Sequence, residues 1–178
     1  MLAAGARILD VGGESTRPRG SAYGEGAPVL TASEESARVV PVLEGLRREA
    51  PDSVLSVDTR SAEVAEAALV AGADLVNVVT GLAPEPALLA AVIAHDAALV
   101  LNHCRGTPQT TFAVSRFDDV VAEVRTDLAA ARALAEAASV PRHRIVLDPG
   151  LGFGKTANQN CTLLGNLDAC APADAPVL

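Results

Sequence analysis

Tryptophan is absent from this chain of 178 residues, which also carries a single tyrosine and three phenylalanines. A core must then be built from Ala, Val and Leu, and the aromatic platforms on which bases stack are missing. Basic residues are few: 14 Lys and Arg face 22 Asp and Glu, a net charge of −8. Phosphate backbones bind to clustered cations, so a nucleic-acid partner is disfavoured. There are three cysteines, Cys104, Cys161 and Cys170, and no C-x-x-C pair. An odd count without metal spacing reads as reduced thiols in a cytosolic protein. No apolar run has the length of a membrane span. Met1 to Ala6 lacks the basic start and long apolar stretch of a signal peptide. These absences point to a cytoplasmic protein with no membrane partner.

What is present is a globular composition, 49% hydrophobic and 20% charged, on a length that suits one domain over residues 1–178. Short runs rich in Val, Leu and Ile occur at Arg7–Val11, Val54–Val57, Leu75–Val79, Ala98–Asn102, Ile145–Leu147 and Val177-Leu178. None alternates cleanly with polar residues, as expected of strands buried on both faces of a parallel sheet. Segments with helical spacing separate them: Ser33–Arg48, Ala62–Val70, Pro86–His95, Asp118–Ala138 and Gln159–Leu167. Thr31-x-x-Glu34 fits a capping box, and Pro41 would either kink the first helix or belong to its first turns. Strand then helix, repeated, implies right-handed βαβ units. The segment Arg19–Leu30, with Tyr23, reads as mobile surface or a lid over substrate. Met1–Ala6 reads as the end of a helix, and Val177-Leu178 as a strand beginning. A full eight-fold barrel needs about 250 residues, so the expected architecture is an incomplete barrel.

Each apolar run ends on polar side chains: Asp10, Asp58, Asn77, Asn102-His103 and Asp148. Carboxylates are costly to bury without partners, and the mouth of a barrel lets them meet solvent and ligand. Each has a local alternative. Asp10 could bond the Gly12-Gly13 turn, Asp58-Thr59 could cap the next helix, Asn77 could cap a loop, and Asp148-Pro149-Gly150 is an ordinary turn signal. His103 could be a histidine satisfied by its neighbours behind a site. The run Gly150–Thr156 suggests a phosphate-binding P-loop, but Pro149 stands where that motif needs glycine. Lys155 is then either a charge for an anion or a solvated surface lysine.

Five segments resemble the dihydropteroate synthase family, the folate-pathway enzymes inhibited by sulfonamides. They are Leu9–Pro18 (LDVGGESTRP), Ser56–Thr59 (SVDT), Gly72–Gly81 (GADLVNVVTG), Val100–Pro108 (VLNHCRGTP) and Ile145–Thr156 (IVLDPGLGFGKT). Their order and near-family spacing make the match specific over nearly the whole chain. The resemblance implies an α/β fold: a TIM-type (β/α)8 barrel, here incomplete, with about strands 2 to 6 and the start of strand 7. It implies a transferase that joins 6-hydroxymethyl-7,8-dihydropterin diphosphate to 4-aminobenzoate and releases diphosphate with the help of Mg²⁺. By the same resemblance Asp58, Asn77 and Asp148 hydrogen-bond the pterin, and Asp10, Asn102, His103 and Lys155 join the substrate site. Thr16 and Arg17 belong to the catalytic loop that handles diphosphate and shapes the aminobenzoate pocket. Phe153 matches an aromatic lining that pocket, and the full-length protein would be a homodimer.

The departures are specific. The family's Asn-Asp is Asn77-Val78 here, its Met-His-Met is Asn102-His103-Cys104, and its Arg-Pro-Gly is Arg17-Pro18-Arg19. A first strand with an Asn metal ligand is absent, so no metal residue is expected in this chain. Later segments with a Ser-Arg-Lys lysine and an Arg/His pair are absent too. The leading expectation is therefore a dihydropteroate synthase whose chain is truncated and inactive alone. A non-catalytic pterin-binding or regulatory paralogue is the alternative, followed by the pterin domain of a methyltetrahydrofolate:corrinoid methyltransferase.

Overall fold

The structure is a computed structural model that describes residues 1–16, 28–107 and 110–178. Arg17, Pro18, Arg19 and Tyr23, and with them most of the expected lid, lie outside the described residues. Five parallel strands form one sheet in sequence order: β1 (Ile8–Gly12), β2 (Val54–Asp58), β3 (Leu75–Val78), β4 (Ala98–Asn102) and β5 (Ile145–Asp148). Between and after them run α1 (Ala32–Glu49), α2 (Ala62–Val70), α3 (Pro86–Ala94), the short α4 (Thr111–Val114), α5 (Val120–Ala137) and α6 (Ala157–Leu164). No described helix is long and apolar enough to cross a membrane.

Side-chain chemistry explains the boundaries. The Thr31–Glu34 capping box forms as expected, and a second, Thr156 with Gln159, starts α6 two residues earlier than the hydrophobic spacing suggests. Asp119 caps α5 by accepting from the backbone N–H groups of Val121 and Ala122. Pro41 lies inside α1 without ending it. Both it and Ala37, whose carbonyl it leaves unpaired, are exposed, so water serves that oxygen. Leu2–Ala4 forms a single 3₁₀ turn leading into β1. At the other end, Val177 bridges Leu147 in parallel, so the last two residues do begin to pair alongside β5.

The expectation of strands buried on both faces holds for the central strands, where Ser56, Leu75, Val100 and Asn102 are buried on the face turned away from the helices, and is corrected at the edge strands β1 and β5. Leu9, Leu55, Val57, Val76, Val78, Leu99, Leu101, Ile145 and Leu147 all face the helices and are buried in one apolar core with Val39, Leu43, Val64, Leu88 and Leu128. The opposite face carries the polar residues, and in the edge strand β1 only Leu9 is buried, between exposed Ile8 and Asp10.

Arg47, on α1, ties three connections together. Its guanidinium donates to the carbonyl oxygens of Gly72, Pro51 and Ser53 and pairs with Asp74 at 2.6 Å. Arg47→Ala is expected to lower stability by about 1–2 kcal/mol, the net worth of a few half-exposed charged bonds. Urea unfolding measures it, and an unchanged midpoint would contradict this bracing role.

Candidate functional site

Sheet register decides which side chains meet. Gly12 lies beside Asp58, Asp58 beside Asn77, and Asn77 beside Val100. Paired residues of neighbouring parallel strands project from one face, so these form a row across β1 to β4. Asn102 and Asp148 pair two residues nearer the carboxyl ends of their strands, while Asp10 pairs with Ser56 two residues behind the row. The strand-end residues Asp10, Asp58, Asn77, Asn102 and Asp148 thus share the face turned away from the helices. A cavity of about 230 Å³ opens on it, lined by Asp10, Ser56, Leu75, Asn77 and Val100.

Their hydrogen bonds leave specific atoms free. Asn77 donates from Nδ2 to Asp10 at 3.3 Å, and Asn102 donates from Nδ2 to Asp148 at 2.7 Å. The Gly150 N–H donates to the other Asp148 oxygen, also at 2.7 Å. That carboxylate is held flat by two donors, with a lone pair left on each oxygen. The Oδ1 atoms of Asn77 and Asn102 are buried and have no hydrogen-bond partner among the described residues. A buried acceptor without a donor costs about 1–3 kcal/mol, and both atoms can take an N–H donor.

Asp58 sits in an acidic corner. Burial, reinforced by the nearby charges of Asp10, Glu35 and Glu14, pushes its pKa up to about 7. Thr16 lines the same narrow crevice with Glu14, Glu35 and Thr59. Glu14 accepts from Arg60 and from the Leu30 N–H, each at 3.2 Å. The first of these bonds ties Glu14 to the segment after β2, and the second ties it to the residue two positions before α1. Neither glutamate stands out in the sequence reading. A signal existed for Glu35, which falls on the helical stripe of Val39 and Leu43 and is buried with them.

His103 and Lys155 do not share the polar face, and the expectation of a solvated or substrate-binding lysine is corrected. Lys155 is 3% exposed. Its Nζ lies 2.8 Å from Gly150 O, 3.1 Å from Phe153 O, 3.2 Å from His103 O and 3.0 Å from His103 Nδ1. Four acceptors take up three protons, so nothing remains for substrate. His103, fully buried, has its Nε2 at 3.1 Å from Asp127 Oδ2. Burial and the Lys155 charge hold its pKa down to about 4, which keeps the ring neutral. It accepts from Lys155 through Nδ1 and donates to Asp127 through Nε2. Asp127 does not stand out on α5 either, though it lies three residues from buried Val124 and four from buried Ala131. Half-buried Phe153 sits on the loop that Lys155 grips.

Among the described residues no three carboxylate, imidazole or thiol groups converge so as to hold a metal ion.

A family model described as pterin binding enzyme matches residues 1–178. The chain belongs to the pterin-binding enzyme family. Its relatives include a dihydropteroate synthase of Synechocystis, 42% identical over all of this chain and 59% of that protein. Two solved structures are similar. The Xanthomonas albilineans dihydropteroate synthase with 4-aminobenzoic acid is 39% identical with a TM-score of 0.86, over 99% of this chain and 59% of that one. The Burkholderia cenocepacia dihydropteroate synthase complexed with 7,8-dihydropteroate is 42% identical with a TM-score of 0.83, over 96% and 58%. The chain thus spans about three-fifths of the length of the pterin-binding enzymes it matches, and its five-stranded sheet is part of their barrel wall.

Proposed function

We propose that the polar face grips the pterin of 6-hydroxymethyl-7,8-dihydropterin diphosphate, and that the whole protein is a dihydropteroate synthase joining it to 4-aminobenzoate. One observation carries the reading: Asp58, Asn77, Asn102 and Asp148 stand on one sheet face, with two buried amide oxygens awaiting donors. An aminopyrimidinone edge supplies adjacent N–H donors, which match the two open lone pairs of Asp148 and the Asn oxygens. In the reaction the C–O bond to diphosphate breaks, the arylamine nitrogen forms the new C–N bond, and the amine loses a proton. The chain's part is to hold the heterocycle so that its methylene faces Thr16 and Phe153, where the amine arrives.

Pterin binding without turnover is the second reading, and an observation favours it for the 178-residue chain by itself. Arg60 is paired with Glu14, Arg105 with Glu123 and Asp127, and Lys155 with its own loop. Among the described residues these cations are committed to the protein rather than to a leaving diphosphate. A turnover assay with both substrates separates the two readings.

Asp148→Asn tests the site itself. It replaces a charged acceptor by a neutral amide, and the affinity for 6-hydroxymethyl-7,8-dihydropterin should fall by about 1–3 kcal/mol, the worth of a bond to a charged group. Calorimetry on the chain reads the loss directly. Equal affinities for the two forms would remove Asp148 from the binding face.

A further inference from the structure

The loop after β5 carries both the Asp148 partner Gly150 and the ring of Phe153, and one buried cation grips it from behind. We propose that Lys155 is a positioning residue: its ammonium clamps the Gly150 and Phe153 carbonyls to the end of β4, and through Gly150 it fixes the Asp148 carboxylate. The inference rests on the pterin-binding reading for what Asp148 does, but not for the clamp itself.

The chain of contacts is short. Lys155 Nζ donates to Gly150 O at 2.8 Å, and the N–H of that same residue donates to Asp148 Oδ1 at 2.7 Å. Moving the Gly150 peptide therefore turns the carboxylate. The second grip, on Phe153 O at 3.1 Å, sets the height of the neighbouring ring-bearing residue. The third and fourth, on the carbonyl and Nδ1 of His103, anchor the ammonium to β4. His103 is held in turn by Asp127, which Arg105 Nε meets at 2.9 Å, and the Arg105 guanidinium lies over the Phe117 ring at 4.4 Å. Lys155 also faces Phe117, at 5.9 Å, and feels Cys104, Asp148, Arg105 and Cys170. A cation desolvated to this degree is costly unless its donors are all used, and here they are. Removing it leaves the carbonyls of His103 and Phe153 and an imidazole nitrogen without their Lys155 donor in a buried position, and leaves Gly150 O with only the Phe153 N–H at 3.1 Å. The loop must then open to find water.

The test is a double-mutant cycle of Lys155→Met and Asp148→Asn, read as affinity for 6-hydroxymethyl-7,8-dihydropterin. Lys155→Met is expected to weaken binding about tenfold when Asp148 is present, and to have little further effect once Asp148→Asn is in place. Hydrogen exchange at the Gly150–Gly154 amides should quicken at least about tenfold, while the β4 amides keep their protection. The ¹⁵N spectrum of wild-type His103 should show an unprotonated Nδ1 and a protonated Nε2, with Lys155 Nζ protons shielded from solvent. A folded Lys155→Met chain with wild-type affinity and exchange overturns the proposal, as does an equally large loss of affinity in the Asp148→Asn background. If wild type binds no pterin, the functional reading fails, and the exchange experiment alone decides the clamp. If Lys155→Met does not fold, the wild-type spectrum decides it: a protonated Nδ1, or Lys155 protons in rapid exchange, overturns the clamp.

Discussion

Gly150→Ala should cost about 3 kcal/mol or more of stability and abolish pterin binding, although it adds a single methyl group. Gly150 has φ +67°, where a side chain is already strained, and an added Cβ would lie 2.1 Å from the His103 carbonyl oxygen and 3.2 Å from Asn102 Oδ1. The clash is with backbone at the end of a buried strand, so no flexible side chain can move aside. The loop has to leave β4, which breaks the Lys155 grip on Gly150 and takes the Gly150 N–H from Asp148. Urea denaturation and pterin calorimetry should both register the change. A variant with native stability and affinity would mean that the loop does not need this close approach. Gly152 offers a control: it too has positive φ, but its added Cβ would meet nothing within 4 Å. Gly152→Ala is therefore expected to show the backbone penalty alone.

Asp58→Asn should stabilise the chain at pH 8 and flatten its stability between pH 5 and 8. The Asp58 pKa is raised from 3.8 to about 7, first by burial and then by Asp10, Glu35 and Glu14. In that window the folded chain holds a proton that the unfolded chain has released. The contribution of this group is thus fully present below the unfolded value and is lost as pH rises through about 7. A rise of that size corresponds at most to about 4 kcal/mol, so a gain of about 2–3 kcal/mol at pH 8 is expected for the variant. His103 works with the opposite sign. Its pKa is lowered from 6.5 to about 4, so its contribution is present above the unfolded value and lost as pH falls toward about 4. Asp58→Asn should therefore leave an acid-side decline intact while removing the neutral one. Chemical denaturation at several pH values checks both arms, and a variant no more stable than wild type at pH 8 would place Asp58 in open water.

Most of the secondary structure was legible because its signals are local. Strand β4 and helix α2 have the expected limits, and the first capping box forms between the residues that spell it. The short helix Thr111–Val114 escapes a sequence reading, since four residues carry too little periodicity to stand out. The row Asp58–Asn77 and the pair Asn102–Asp148 were readable as a set, because each follows an apolar run that must be a strand. Lys155 misleads for a physical reason. An isolated lysine in a glycine-rich loop belongs in water, and only three carbonyls and an imidazole, two of them from a residue 52 positions earlier, make burial tolerable. Glu35 and Asp127 hide similarly among exposed helix charges, although each lies in helical step with buried neighbours.

Residue order alone determined that this protein is a succession of βα units with a polar group at each strand tip. Apolar spacing and capping act over a few residues, so they survive in a one-dimensional reading. Only the tertiary structure decided which polar groups share the face turned away from the helices and which hold the loop after β5 from behind. Burial, unpaired acceptors and shifted proton affinities are sums over neighbours that the chain brings together from dozens of positions apart.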